Sequence, residues 1–461
     1  MTYQRRHRPA FSDSRGSPKP SPFSPRPFPV QARRTVRREA IGTDHQAASP
    51  EAQGTSGVMV TEVGPARIQR DVGFEFETGW LVTKEDNQQQ KKPLKKKDPV
   101  GAGGYDGFNV EADEALNDTS EVEFVLHPPI PVARGGLAAL TGVMSGILSV
   151  GNQLKTARSQ GGNQPFRLSA ATGRQADNAW EITPADADLK AGPQVTAGLL
   201  LSELSRLGEN SQEAPLPAGF NRTKLTAQSN TSAFADLDRS KVVLPDDEMS
   251  EELVGLLSVI LSYLRAGESR GLEYPKQIAD TFLLARTDLA QLFKMLPKKE
   301  RDFFQTNGSH WVNLVMQLAK AAEIEGDAKD RVILHGVRPN ALAPFRPVGP
   351  TRELWLIYMY KGVDLLSGAL DDELESMGAL GDKTEKVGAE NKDAPIFELR
   401  GAQTTKIPLT EWKPFATQVY QYLLRLQNPE EFAAENERAR QSALAAQLRQ
   451  KYLANLGIFQ Q

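Results

Sequence analysis

Cysteine is absent from this 461-residue chain, which excludes disulfides, thiolate nucleophiles and cysteine-ligated zinc together. Histidine is scarce. Its five copies, His7, His45, His127, His310 and His335, are too scattered to form the short-spaced pair of a zinc hydrolase. No stretch approaches the roughly 20 consecutive apolar residues of a membrane-spanning helix, so no membrane span is expected. The basic start, MTYQRRHRPAF, has no apolar segment behind it and does not read as a secretory signal. There is no GxxxxGK[ST] phosphate loop and no GxSxG elbow. Gly101-Ala102-Gly103-Gly104 follows lysines and Pro99 and reads as a flexible loop. The net charge of −3 lacks the basic surplus of a nucleic-acid-binding chain. Chemistry is left to carboxylates, arginines, lysines, hydroxyls and amides.

Residues 1–66 are rich in Pro, Ser and Arg without a hydrophobic period, the composition of a segment that cannot offset its ordering entropy. Arg33, Arg34, Arg37 and Arg38 make this leader locally basic. An export, docking or nucleic-acid-binding role fits it, and so does a solvated tail with no partner. Order is expected from residue 67. Val72 to Val82 alternates large apolar residues with acids, the period of a strand with one polar face. Lys91 to Gly107 is lysine- and glycine-rich and reads as a mobile loop. Strands are expected at Phe108–Asp113, Ser120–Leu126, Pro193–Leu201 and Pro395–Arg400, and a helix at Leu137–Val150. Gly151–Gly173 and Glu209–Ser232 read as polar linkers, and Asp371–Asp393 as an exposed loop. Helical spacing marks Asp246 to Lys298, with a stripe from Leu253 to Leu264, then Lys276–Leu296, Val312–Ala322, Leu354–Leu366 and Glu411–Leu426. The segment 430–461 is a strong helix former, expected in solvent. Strands first and helices after, without βαβ alternation, give an α+β class with an antiparallel sheet. The expected domains are the leader at 1–66, one α+β domain at 67–429 and a C-terminal helix at 430–461.

Glu75 and Glu77 stand two apart on a strand and so share a face. An oxygen-rich pair suits Mg²⁺; a solvent-facing strand face is the plain alternative. Asp113, Glu121 and Glu123 repeat the pattern. Two such strands side by side would form a carboxylate floor, a poor arrangement without a cation because like charges repel. Glu398 and Arg400 alternate on a later strand, where the guanidinium could clamp a phosphate or carboxylate, or simply form an ion pair. Lys276 and Arg286 are cationic positions around an expected helix that could meet a nucleotide phosphate or face solvent.

Three blocks in this order resemble the amidoligase family, relatives of the glutamine synthetase and glutamate-cysteine ligase fold. They are Gly73-Phe74-Glu75-Phe76-Glu77, then Asp113 with Glu123-Phe124-Val125-Leu126-His127-Pro128-Pro129-Ile130, then Glu398-Leu399-Arg400 with Thr404. The resemblance spans roughly residues 70–430. It implies an antiparallel sheet with a funnel-like site, ATP and Mg²⁺ as cofactors, and amide formation between a carboxylate and an amine. It assigns Glu75, Glu77, Asp113 and Glu123 to metal, Arg400 to phosphoryl or carboxylate charge, and Glu398 to the metal or to Arg400. Where the family has an H-x-H strand this chain has Gln194 and Thr196, which can hydrogen-bond but cannot be protonated near neutrality. That puts the amine-side chemistry in question. Three functions are open at this stage: an ATP-dependent ligase, one form of which is a delivered effector acting on a protein or peptide; a ligase-fold binding protein without turnover; and a structural or cargo protein of a secretion assembly. The expected location is cytoplasmic, or exported without a cleavable signal.

Overall fold

The computed structural model describes residues 71–455 except 86–90, 96, 101–104, 117–118, 162–163, 168–179, 187, 208–214, 221–230, 267–282, 325–351, 363–383 and 388–391. The leader at 1–66 lies outside the described residues, as does Lys276.

The strands are β1 (Asp71–Glu85), β2 (Lys91–Lys92), β3 (Phe108–Leu116), β4 (Thr119–Leu126), β5 (Ile130–Pro131), β6 (Phe166–Arg167), β7 (Trp180–Thr183), β8 (Lys190–Gly198), β9 (Leu283–Ala285), β10 (Thr384–Val387), β11 (Lys392–Leu399) and β12 (Ile407–Pro408). The helices are α1 (Gly136–Gly161), α2 (Leu201–Leu204), α3 (Thr231–Asp236), α4 (Glu251–Ala266), α5 (Leu289–Lys294), α6 (Lys298–Thr306), α7 (Gly308–Ala321), α8 (Arg352–Lys361), α9 (Leu409–Gln427) and α10 (Pro429–Asn455). All strands join one sheet whose main path runs β10-β11-β8-β1-β4-β3. Every described pairing is antiparallel. This is the α+β architecture with an antiparallel sheet that the strand-first order predicts.

β1 is the spine. Its even-numbered residues Val72, Phe74, Phe76 and Trp80 are fully buried, and α9 covers that face. Trp412 stacks on Phe76 at 4.7 Å and meets Phe124 edge-on, while Phe415 meets Phe74 edge-on. The Tyr420 hydroxyl donates to the carbonyls of Pro131 and Ala133 and accepts from the Ala133 amide, pinning α9 to the segment after β5. β1 carries two more residues than β4 between the pairs Glu77↔Glu123 and Leu81↔Glu121. Buried Thr78 stitches that irregularity: its hydroxyl donates to the Val122 carbonyl and accepts from the Trp80 amide. An even number of extra residues keeps the alternation of faces intact.

Several expectations need correction. Lys91–Gly107 is not simply a mobile loop: Leu94 and Val100 are buried, and the Val100 amide donates to Val110. The loop reading followed its lysines and glycines; the few apolar residues and the backbone bonds to β3 override it. α1 runs on to Gly161 through part of the expected linker. It is long and apolar enough to cross a membrane by length and composition, yet Leu140, Met144, Ile147, Val150 and Leu154 are buried along one stripe. Of the expected helix Lys276–Leu296, residues 276–282 lie outside the described set, and the rest forms β9 followed by the short α5. Leu283 and Ala285 fit a buried strand as well as a helix, and pairing with β11 decides. The expected loop Asp371–Asp393 contains β10 and the start of β11. Its remaining residues lie outside the described set.

Trp412→Ala should lower stability by about 3–5 kcal/mol, the usual cost of deleting a buried aromatic, whereas Leu444→Ala, on the exposed part of α10, should stay within about 0.5 kcal/mol. Denaturant unfolding of the two variants tests this; equal effects would mean α9 is not what covers the sheet.

Candidate functional site: an acidic floor beside an arginine clamp

Register places the polar residues. Glu77 faces Glu123 across β1 and β4, and Glu123 faces Glu111 across β4 and β3. One rung further, Glu75 faces Gln194 on β8, and Gly73 faces Thr196, which faces Glu398 on β11. Directly opposed residues of an antiparallel pair share a face. Glu75, Glu77, Asp113, Glu123, Gln194, Thr196 and Glu398 therefore stand on one surface, opposite the Phe74 and Phe76 core. Glu121 and Glu111 belong to the same face by alternation.

The acids crowd. Burial pushes Glu77 up to about 7, with the charges of Asp113 and Glu75 adding to it and Arg400 opposing. Burial also raises Glu123, which is 1% exposed, well above the carboxylate range; Glu75 adds charge and a hydrogen bond, and Lys97 opposes. Lys97 reaches in from the segment after β2, its Nζ 2.7 Å from Glu111 Oε1 and 3.3 Å from Glu123 Oε2. Desolvation works against its ammonium, but the Glu111 hydrogen bond and the charges of Glu123 and Glu75 outweigh it and raise its pKa. Gln194 Nε2 donates to Glu77 Oε1, so the amide orients that carboxylate.

The other end of the face is cationic. Glu398 is 1% exposed and is gripped from two sides. Arg400 Nε lies 2.5 Å from its Oε1, and Arg286 pairs with its Oε2. Arg286 is therefore not on a helix: it follows β9, its amide donating to the Ile396 carbonyl. The flanking chain is fixed by the Thr287 hydroxyl, which accepts from the Ile396 amide, and by Asp288, which caps α5 through the Ala290 amide. The Tyr263 hydroxyl accepts from the Ala285 amide and ties α4 to β9. Two guanidiniums thus share one buried carboxylate. Glu75, Thr196 and Arg286 line one cavity of about 320 Å³, so its wall carries both signs of charge.

The donors are all carboxylate and amide oxygens, the set preferred by hard divalent cations. Burial first, and mutual repulsion second, make Glu77 and Glu123 retain protons, and a cation would relieve the repulsion. Among the described residues, no three acidic or imidazole side chains stand close enough to hold a metal ion as placed, so binding would have to draw the carboxylates together. Donor type and charge fit; the closed geometry is left for the ligand to complete. The sequence reading singled out neither Lys97 nor Glu111. Glu111 alternates with Asp113 and was open to the same i, i+2 argument. Lys97 is one of five lysines between positions 91 and 97, and nothing in their pattern distinguishes it.

A carboxyl raised from 4.5 to about 7 costs stability that is absent below pH 4.5, grows as pH climbs to about 7, and is full above it. Glu77→Gln should therefore raise Tm in metal-free buffer at pH 8, by about 2 kcal/mol of stability after discounting for its partial exposure. The gain should fade towards pH 4.5. A gain independent of pH would place the effect elsewhere.

No protein-family model and no curated protein matches the sequence. Among solved structures, the chain is similar to the ACD domain of a Vibrio cholerae VgrG toxin, a point mutant in complex with ADP and Mn²⁺. The identity is 14% and the TM-score 0.36, over 76% of this chain and 97% of that one. It is similar also to a Vibrio cholerae toxin from the MARTX/VgrG family, at 14% identity and a TM-score of 0.35, over 75% of this chain and 95% of that one. Likeness of that degree carries no conclusion about what this chain binds.

Proposed function

We propose that this protein is an ATP- and Mg²⁺-dependent carboxylate-amine ligase. The observation that carries the reading is the division of one sheet face into a floor of carboxylates on β3, β4 and β1 and a pair of arginines clamped on Glu398 beside β9 and β11. A metal-complexed polyphosphate has the complementary pattern, with cationic charge at one end and bare anionic oxygens at the other.

A carboxylate is a poor electrophile. Transfer of the γ-phosphoryl group to its oxygen gives an acyl phosphate and ADP. Attack by the amine on that carbonyl then forms the amide, expels phosphate and releases the amine proton. Such a path is catalysed mainly by positioning and by neutralising charge. Glu75 and Glu77, with Asp113 nearby, are the residues to hold the divalent cation, which when bound would offset phosphate charge and orient the phosphates. Arg286 and Arg400 meet phosphoryl or carboxylate oxygens. Glu398 holds both guanidiniums at the height of the sheet and is a positioning residue. Thr196 presents a hydroxyl on the cavity wall.

Gln194 favours a second reading. Its amide is engaged with Glu77 and cannot carry a proton, as suits a ligase-fold protein that binds nucleotide without turning it over. Calorimetric titration of ATP, with and without Mg²⁺, separates the outcomes. Metal-dependent binding that is weakened at least about tenfold by Glu75→Gln or Arg400→Ala is expected in both readings. ADP release on adding amines and carboxylates then distinguishes the ligase from the binder. Absence of ATP binding to the folded wild type would end both.

A further inference from the structure

We infer that Lys97 is a resident cation of the acidic floor: it fills the Glu111–Glu123 end and confines a divalent cation to the Glu75, Glu77 and Asp113 end. The inference rests on the metal-binding reading above and adds a residue that sets how many cations the face takes.

The chain around Lys97 is built to aim it. Lys97 has a φ of 71°, the left-handed region that a side chain with a Cβ enters only when its surroundings enforce it. The enforcement is visible. The Lys97 amide donates to the Ala112 carbonyl at 2.7 Å, and the Ala112 amide donates to the Asp98 carbonyl at 2.9 Å. The Lys95 amide donates to Asp98 Oδ2 at 2.9 Å. Pro99 bridges to Glu111, and Leu94 and Val100 anchor the segment in the core on either side. Lys97 and its neighbour Asp98 each share one backbone bond with Ala112 of β3, which a surface lysine needing only solvent would not require.

Its ammonium meets two acids from adjacent strands, one of them buried to 1% exposure, although the lysine side chain is itself 49% exposed. A neutral residue there would leave two unscreened carboxylates facing each other across β3 and β4, an additional pair for a hard cation. Lys97 thus takes one cation position permanently and leaves the other exchangeable.

Two measurements on the full chain test this. The first counts Mn²⁺ by calorimetry and by EPR of the free ion in wild type, Lys97→Met and Lys97→Arg. Lys97→Met should take up one further equivalent, or bind Mn²⁺ about tenfold more tightly, while Lys97→Arg behaves as wild type. Equal stoichiometry and affinity in all three folded proteins would overturn the inference. The second is acetylation of amines read by mass spectrometry. Metal-free Lys97 should react several-fold more slowly than exposed Lys95, and Glu111→Gln should abolish the difference. Saturating Mn²⁺ should leave Lys97 protected. If Mn²⁺ makes Lys97 as reactive as Lys95, the ion displaces it and the resident-cation inference fails. If Mn²⁺ binds neither wild type nor Lys97→Met, the metal-dependent ligase reading falls. Lys97 protected in that case still marks a resident cation, and Lys97 unprotected removes it too.

Discussion

The structure depends on the two-residue alternation of β1. Two successive rungs of that strand, Phe74-Glu75 and Phe76-Glu77, each commit an aromatic side chain to the layer under α9 and a carboxylate to the opposite surface. Burial of Phe74, Phe76 and Trp80, with the contacts of Phe74 to Phe415 and of Phe76 to Trp412, fixes the register, because a slip of one residue would drive Glu75 and Glu77 into the aromatic layer. The favourable burial on one side thus holds in place an arrangement on the other that is unfavourable by itself. Carboxylates that repel would spread apart on a mobile loop; on a strand clamped from behind they cannot, and burial, with that repulsion added, makes Glu77 and Glu123 retain protons.

How much of this was legible follows from the range of the interactions. The strands at Phe108–Leu116, Thr119–Leu126 and Lys392–Leu399 show their period locally, and so does the α4 stripe from Leu253 to Leu264. The pairing of Glu77 with Glu123 could be anticipated as a floor because both strands carried alternate acids. What the sequence concealed is set by contacts over long separations. Leu283–Ala285 has no strand period at three residues, and only its partner β11, more than a hundred residues on, makes it a strand. The misreading of Arg286 followed from that. Lys97 lay hidden for a different reason: in a run of lysines the distinguishing property is a backbone angle, which composition does not encode.

The clamp at Glu398 shows how the fold keeps opposite charges from collapsing onto each other. Arg286 and Arg400 could in principle reach for the floor, where Arg400 already lowers the pKa of Glu77. A single buried carboxylate between them, reached through β11 and the turn after β9, holds both back. Removing one partner from such a group leaves an uncompensated buried charge, which is costlier than the pair is worth, so the three residues stand or fall together. Gln194 and Thr196 occupy β8 between the two charged zones, and a neutral strand there is what allows them to coexist at this spacing. An imidazole pair at the same positions would add titrating charge in the middle of the face; the amide and hydroxyl add none. In the proposed ligase reaction, loss of the amine proton must therefore find its base outside these two β8 positions.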